Sequence, residues 1–230
     1  MKNENCWYIN NCLKTDTDIC NECCPKYTKM RYLVTESQLG KRLWYPVILN
    51  ACAEDLAAFQ RLAQIRSDIK AFVQCGKNLL IISENTGCGK TTWATKLLLQ
   101  YFNSILFDTY CEPRGLFINT VDFIIKTKSR INSSVPDKDF DKLCSLIRTV
   151  DLVIWDDFCV RSFSDYEHDL LYTYINYRID NGKSNMYTAN ATEKTLSKTL
   201  SNRLYSRIVY NSEIIEFFGK DVRANVNFDN

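Results

Sequence analysis

The sequence predicts an α/β fold in which a mostly parallel sheet carries helices on both faces. From Leu79 onward, short apolar runs of strand length alternate with longer runs of helical period. One apolar run ends at a glycine-containing loop, SENTGCGKTT at residues 83–92. Another, DLVIWDDF at residues 151–158, ends in two carboxylates. These three observations predict the fold class.

Composition sets the broad class. The chain has 230 residues, 46% hydrophobic and 24% charged, which is ordinary for a globular protein of one to two domains. Its net charge of +2 gives no strong basic field, so any contact with nucleic acid must be local. The N-terminus has no apolar signal core, and no apolar run approaches membrane-spanning length. We therefore expect a cytoplasmic protein without a membrane partner, whose thiols stay reduced.

Three segments follow one another along the chain. Residues 1–30 form a short polar module rich in cysteine, residues 31–50 a connector, and residues 51–230 the α/β domain. Apolar residues recur at helical spacing through residues 51–74. Strands are predicted at residues 79–82, 116–119, 152–155, 185–189 and 214–218. Helices are predicted at residues 93–100, 121–130, 140–149 and 164–180, where Ser164 and Glu167 form a capping-box pattern, and onward from the fourth strand to about residue 210.

The loop after the first strand has the features of a phosphate-binding P-loop. Its backbone N–H groups and the following helix N-terminus favour an anion. Lys90 would reach the β- and γ-phosphates of ATP, and the Thr91 hydroxyl would bind Mg²⁺. The residues expected around the phosphates are Asn85, Thr86, Gly87, Cys88, Gly89, Lys90, Thr91 and Thr92.

One position departs from the P-loop pattern. Glu84 stands where G-x-x-x-x-G-K-[ST] has its first glycine, a residue that mainly eases the turn out of the strand. The alternative is a chance Gly-Lys-Thr in a surface loop. The apolar strand before the loop and the acidic strand further along the chain favour the phosphate site.

The acidic strand end predicts the metal and water-activating groups. Asp156 would hold Mg²⁺ through its waters, and Asp157 would orient or activate the attacking water. Many ATPases carry Glu at the second position, and Asp is one methylene shorter. A turn rich in Asp at a strand end is the structural alternative.

Three further polar positions are candidates for sensing phosphate. Asn190 ends the strand NMYTA, although an Asn there is usually a turn residue or helix cap. Arg203 and Arg207 share one helix face at i and i+4; such a pair is normally solvated, but in an oligomeric ATPase it would reach the neighbour's γ-phosphate. Arg223, near the C-terminus, is a candidate second sensor in its own subunit.

Taken together, these motifs resemble the AAA+ ATPases, which are RecA-like P-loop NTPases, and within them the DnaC/DnaI-type helicase loaders and the related IstB-type transposition helpers. The resembling segments are GKNLLIISENTGCGKTTWA, GLFINTVDFIIKTK, DLVIWDDF, YEHDLLYTYINYRIDNGKSNMYTAN and LSNRLYSRI. The resemblance implies that Asn190 is the first sensor, Arg207 the arginine finger with Arg203 beside it, and Arg223 the second sensor. The chain ends soon after Arg223, so we expect a reduced or absent lid domain. The composition is similar to that of phage-encoded loaders.

Five cysteines crowd the first 24 residues. Cys6, Cys12, Cys20 and Cys23 have the spacing C-x5-C-x7-C-x2-C, and Cys24 is an alternative fourth ligand. So short a module needs a staple, and the sequence predicts Zn²⁺ bound by four thiolates, since His168 is the only histidine. Unligated thiols or an iron–sulfur cluster are the alternatives. In the resembling loaders this region docks on the helicase.

The resemblance implies an ATP- and Mg²⁺-dependent AAA+ ATPase that oligomerises, binds single-stranded DNA weakly and delivers a hexameric DnaB-type helicase onto it. An IstB-like transposition helper is the alternative within the same fold. A non-hydrolysing ATP-bound adaptor is the alternative from another class, with Glu84 and Asp157 marking lost turnover.

Overall fold

A computed structural model describes residues 4–10, 12–13, 20–47, 49–108, 112–131, 135–158 and 162–219. Within these ranges a single five-stranded sheet has the order β2-β3-β4-β1-β5, and every neighbouring pair is parallel. The strands are β1 (Asn78–Ile82), β2 (Gly115–Asn119), β3 (Leu152–Asp156), β4 (Ser184–Ala189) and β5 (Ser212–Glu216). The predicted parallel sheet is confirmed.

Nine α-helices are described. They are α1 (Pro25–Glu36), α2 (Leu56–Ser67), α3 (Ile69–Gln74), α4 (Lys90–Ile105), α5 (Thr120–Ile131), α6 (Lys138–Thr149), α7 (Asp165–Asp180), α8 (Glu193–Thr199) and α9 (Asn202–Val209). Side chains start several of them: Ser164 and Glu167 form the predicted capping box of α7, while Thr192 and Ser201 cap α8 and α9. None of the described helices is both long enough and apolar enough to span a membrane.

The core lies in two layers, one on each face of the sheet. In β1 the side chains alternate, so Leu79 and Ile81 join one layer while Leu80 and Ile82 join the other. The first layer is built with α1–α4, and the second with α5–α9. Helices therefore cover both faces, as predicted, and both strand faces are buried because of them.

The first helix crosses the predicted boundary between module and connector. Helix α1 buries Met30, Leu33 and Val34 in the core layer that also contains α4. Directly after it, the Ser37 carbonyl accepts a hydrogen bond from the Phe117 amide at 2.7 Å, which covers the edge strand β2. The segment from α1 onward therefore packs as part of the α/β core.

Aromatic side chains hold the N-terminal residues against this core. The Trp7 ring lies 5.7 Å from that of Tyr27, 5.9 Å from that of Trp44 and 5.6 Å from that of Tyr45, centroid to centroid. The Trp7 indole N–H also donates to the Trp44 carbonyl at 2.9 Å. Such ring pairs add stability beyond the area they bury.

A buried arginine ties together the edge of the sheet where β3 and β4 begin. Arg178 on α7 is fully buried, and burial lowers its pKa to about 9. Its hydrogen-bond acceptors are the carbonyls of Ile147 (2.6 Å), Val150 (2.9 Å), Asp151 (3.2 Å) and Ser184 (2.5 Å) and the side chain of Asn185 (2.8 Å). One side chain thus joins α6, α7 and two strands at the edge opposite the carboxyl ends.

Candidate nucleotide-binding site

The loop between β1 and α4 has the backbone shape that its glycines predict. Gly87 has a φ of 73° and Gly89 a φ of 97°, both in the left-handed region. A Cβ on Gly89 would lie 2.5 Å from Leu49 Cδ1. Its left-handed conformation therefore favours glycine at position 89, and a larger residue there would also displace the Leu49 side chain. Helix α4 begins at the next residue, so its N-terminus faces the loop and favours an anion there.

Lys90 is folded back onto the loop. Its side chain is buried, and Nζ donates to the Asn85 carbonyl at 2.8 Å and lies 3.4 Å from Cys88 Sγ. A triphosphate would offer this ammonium a charged partner in place of a neutral carbonyl. Thr86 is exposed at the loop tip, whereas Thr92 is half-buried on the first turn of α4.

The loop also contacts the end of β5. Asn85 Nδ2 donates to the carbonyls of Phe218 and Gly219 at 3.0 and 3.1 Å. The same two residues donate their amides to the carboxylate of Asp55, which is buried ahead of α2. The phosphate loop is thus braced by segments from both ends of the α/β domain.

A group suited to Mg²⁺ lies beside the loop. The Thr91 hydroxyl donates to Asp156 Oδ1 at 2.9 Å, and the Thr188 hydroxyl donates to the same oxygen at 2.6 Å. Burial raises the pKa of Asp156 and so does the charge of Asp157, while the two hydroxyl hydrogen bonds lower it. A hydroxyl and a carboxylate oxygen are the hard ligands that Mg²⁺ takes in phosphoryl-transfer sites. Thr91 and Asp156 therefore fit the ion.

Asp157 has an unusual backbone. Its φ of 54° is left-handed, which is uncommon for a non-glycine residue and often marks a functional position. Its amide donates to the Thr188 hydroxyl at 3.1 Å, and Asn119 Nδ2 donates to its Oδ2 at 3.4 Å. The carboxylate is only half-buried. It lies with Thr91, Asp156 and Asn119 along a cleft of about 1030 Å³.

Two of these positioning residues were not predicted. Thr188 is the hydroxyl residue next to the end of β4, and Asn119 is the polar last residue of β2. Both residues could have been predicted as polar residues at the carboxyl ends of strands that neighbour β3, because parallel strands bring those ends together.

The predicted phosphate-sensing residues lie at different places relative to the sheet. Asn190 directly follows β4, the strand between β3 and β1, so it lies at the same sheet edge as Asp156 and the phosphate loop. Arg207 is on α9, and its Nη1 lies 3.9 Å from Oδ1 of Asp180, the last residue of α7, near the opposite edge. Arg203 contacts the ring of Tyr172 on α7. Arg223 lies outside the described residues.

The structure does not support the predicted zinc site. Among the residues described, no group of three or more His, Cys, Asp or Glu side chains could hold a metal ion. Within the described part of the chain, Cys6, Cys12, Cys20, Cys23 and Cys24 form no disulfide, and Cys23 is exposed. Burial raises the pKa of the Cys6 thiol, and charges on Cys20, Cys24 and Cys12 would raise it further. The packing of Trp7 on Tyr27, Trp44 and Tyr45 holds these residues in place.

The all-parallel sheet, the glycine-containing loop after β1 and the acid pair at the end of β3 are consistent with an α/β fold of the P-loop, AAA+ type. The sequence matches no protein-family model, and no curated protein sequence matches it either. Solved structures do match, at TM-scores above 0.5, and they show which proteins share this fold.

A helicase loader and a replication initiator are among the structural neighbours. A DnaC helicase loader superposes with a TM-score of 0.64 at 19% identity, over 78% of this chain and 100% of that chain. DnaI superposes with a TM-score of 0.60 at 17% identity, over 79% and 95%. The replication initiator DnaA, bound to AMPPCP and single-stranded DNA, superposes with a TM-score of 0.56 at 16% identity, over 75% and 49%. These identities show a shared fold. The predicted resemblance to DnaC/DnaI-type loaders is thus confirmed at the level of structure, and the relation to IstB-type helpers and a phage origin stay predictions.

Proposed function

We propose that this protein is a cytoplasmic AAA+ ATPase that binds ATP and Mg²⁺ and loads a replicative helicase onto single-stranded DNA. The observation that carries the nucleotide part is the hydrogen bond between Thr91 of the phosphate loop and Asp156 of the acidic strand. It joins the two halves of a magnesium–phosphate site from residues 65 apart in the chain.

Each residue of the site has a distinct task. Lys90, which now donates to the Asn85 carbonyl, would hold the terminal phosphates, and Thr91 and Asp156 would hold the metal ion. Asp157, restrained by Thr188 and Asn119, orients a water for in-line attack. Bound ATP–Mg²⁺ supplies the phosphoanhydride bond that this water cleaves. Asn190 faces the same edge and senses the terminal phosphate.

Arg203 and Arg207 act on a neighbouring copy of the chain. Arg207 pairs with Asp180 near the edge of the sheet opposite its own phosphate loop, so it cannot complete its own site. In a closed or helical assembly Arg207 would reach the γ-phosphate of the next subunit, with Arg203 beside it. Arg223 would act on the nucleotide of its own subunit. An arginine supplied in this way is typically worth about 10³–10⁵ in rate. The protein therefore self-associates in its active form.

The partners follow from the structural neighbours, two of which are the DnaC loader and DnaI. We assign the DnaB-type hexameric helicase to the N-terminal residues held by Trp7. Single-stranded DNA binds weakly, because the net charge of +2 supplies little long-range attraction.

A non-hydrolysing adaptor is the second candidate, and Asp157 favours it. The carboxylate is one methylene shorter than Glu, and its left-handed backbone fixes its direction. In that case ATP would stabilise one shape without turnover. Hydrolysis measured with and without single-stranded DNA separates the two functions.

Mixed subunits test the ATPase and its trans arrangement together. Arg207→Ala and Asp157→Asn should each abolish hydrolysis, and mixing them should restore part of it because a mixed interface contains one complete site. Lys198→Ala, on the exposed side of α8, is the matched control. Absence of rescue at every ratio, with assembly confirmed, would contradict the trans role. Co-purification with the DnaB-type helicase in ATP but not in nucleotide-free buffer tests the loader function.

A further inference from the structure

The surface where α7 and α9 meet brings together two arginines, Arg203 and Arg207, and one tyrosine, Tyr172. Arg203 and Arg207, one turn apart on α9, both approach Tyr172 on α7. The Arg203 guanidinium carbon lies 4.5 Å from the centroid of the Tyr172 ring. The neighbouring guanidinium groups of Arg203 and Arg207 favour the charged form of the phenol and lower the pKa of Tyr172. Helices α7 and α9 are packed neighbours, so this meeting point is fixed by the fold.

A tyrosine is suited to position two arginines whose positive charge must remain available for a phosphate. A carboxylate would hold them more strongly, but it would also neutralise the charge needed for a phosphate. A phenol is neutral near pH 7, so it orients guanidinium groups and leaves their charge intact. No carboxylate among the described residues lies within ion-pair distance of Arg203. In the part of the chain that the structure describes, the carboxylate contact of Arg207 is the long one with the half-exposed Asp180, at 3.9 Å.

Orientation matters because arginine side chains are flexible. Ordering a long side chain costs about 1.5–2 kcal/mol of rotamer entropy, which is paid at the moment of contact unless the chain is already held. The Tyr172 ring lies against Arg203 and its phenol is close to Arg207, at adjacent turns of one helix. One residue can therefore restrain both guanidinium groups before a phosphate arrives.

We propose that Tyr172 is a positioning residue that holds Arg203 and Arg207 ready for the nucleotide of a neighbouring copy of this chain. The proposal rests on the proposed trans function of Arg207. Tyr172 touches no nucleotide; it acts only through the two arginines. Its loss should therefore slow hydrolysis by the next subunit and leave ATP binding by its own subunit unchanged.

The test compares Tyr172→Phe and Tyr172→Leu with Tyr166→Phe, an exposed tyrosine on the same helix. Removing the phenol oxygen alone should lower kcat of the assembled protein about threefold, and removing the ring as well about tenfold, from the usual strength of exposed cation–π contacts and charged hydrogen bonds. KM for ATP should not change. Tyr166→Phe should keep the wild-type rate.

Complementation separates positioning from a merely structural role. Tyr172→Leu subunits mixed with Asp157→Asn subunits should regain activity, because the Asp157→Asn subunit offers intact arginines to an intact site. Mixed with Arg207→Ala subunits they should not, because no subunit then presents a well-held pair. A thermal unfolding midpoint within about 2 °C of wild type checks that the fold is intact, and if Tyr172→Leu fails this check, Tyr172→Phe decides.

The outcomes are distinguishable. If Arg207→Ala is inactive while both Tyr172 variants match wild type, the positioning role of Tyr172 alone is overturned. If Arg207→Ala itself hydrolyses ATP normally, the trans function is wrong and the role of Tyr172 falls with it. A lower kcat that both mixtures rescue equally would also contradict positioning through the arginines.

Discussion

Thr188 supports both carboxylates of the candidate site, and replacing it by valine should weaken the fold and the metal site together. The change keeps the volume of the side chain, so it creates almost no cavity. It removes the 2.6 Å hydrogen bond to Asp156 Oδ1 and leaves the Asp157 amide, now 3.1 Å from the hydroxyl, without its acceptor. A hydrogen bond to a charged group is worth about 1.5–3 kcal/mol, and an orphaned buried donor costs about 1–3 kcal/mol. Since Asp156 can relieve part of this by taking up a proton, we expect a loss of about 3 kcal/mol.

Urea unfolding without Mg²⁺ measures this loss, and for a chain of this size it corresponds to about 6–12 °C in Tm. Thr188→Ser, which keeps the hydroxyl, should recover most of it. Thr95→Val is the matched control, because the buried Thr95 hydroxyl has no hydrogen-bond partner among the described residues. That variant should be neutral or more stable. A loss below about 0.5 kcal/mol for Thr188→Val would refute the reasoning, since it falls under the smallest value for either lost interaction.

The metal site should respond in the same variant. The Thr188 hydrogen bond lowers the pKa of Asp156, so its removal moves that pKa further up. Protons then compete with Mg²⁺ at a higher pH than in the wild type. The Mg²⁺ concentration needed to bind a fluorescent ATP analogue should rise, and more at pH 6 than at pH 8. An unchanged Mg²⁺ requirement at both pH values would separate Thr188 from the metal site.

Two further perturbations test the electrostatics and the fold. Because burial and Asp157 raise the pKa of Asp156 in the folded state above its unfolded value, its charge destabilises the folded protein at neutral pH. Asp156→Asn should therefore be more stable than wild type in Mg²⁺-free urea titrations at pH 7.5, and the gap should narrow as pH falls through the raised pKa; a variant less stable at every pH would contradict this. Arg178→Met removes five hydrogen bonds to buried acceptors and should cost about 3–5 kcal/mol in the same assay, whereas the exposed Arg148→Met should cost under about 1 kcal/mol. Equal losses for the two arginine variants would show that Arg178 does not hold the sheet edge.

The parts of the site that could be predicted from the sequence are those formed by consecutive residues. The phosphate loop lies between a buried strand and a helix, and its Gly-Lys-Thr fixes where that helix begins. The two aspartates end an apolar strand, so their place at the sheet edge follows from the strand itself. The parallel sheet and the helices on both faces were predictable for the same reason, because each element carries its own period.

The parts that were missed depend on pairing between distant segments. Thr188 reaches Asp156 across 32 residues, and nothing near Thr188 in the chain announces that contact. Leu49 packs on Gly89 only because the connector passes over the loop. The predicted zinc site rested on cysteine spacing, whereas the N-terminal residues are held by Trp7 against Trp44, 37 positions away. Side-chain packing of this kind has no local signature.

Titration calorimetry with the full chain measures whether ATP and Mg²⁺ bind at the phosphate loop. Wild-type protein should bind ATP in Mg²⁺-containing buffer and more weakly with EDTA. Lys90→Ala should lose binding while its unfolding midpoint stays close to wild type, because it removes the cation facing the terminal phosphates. Lys96→Ala, further along the same helix and packed over Trp93, should bind as wild type does. ATP binding by Lys90→Ala at wild-type affinity, or no binding by the wild type itself, would contradict the assignment.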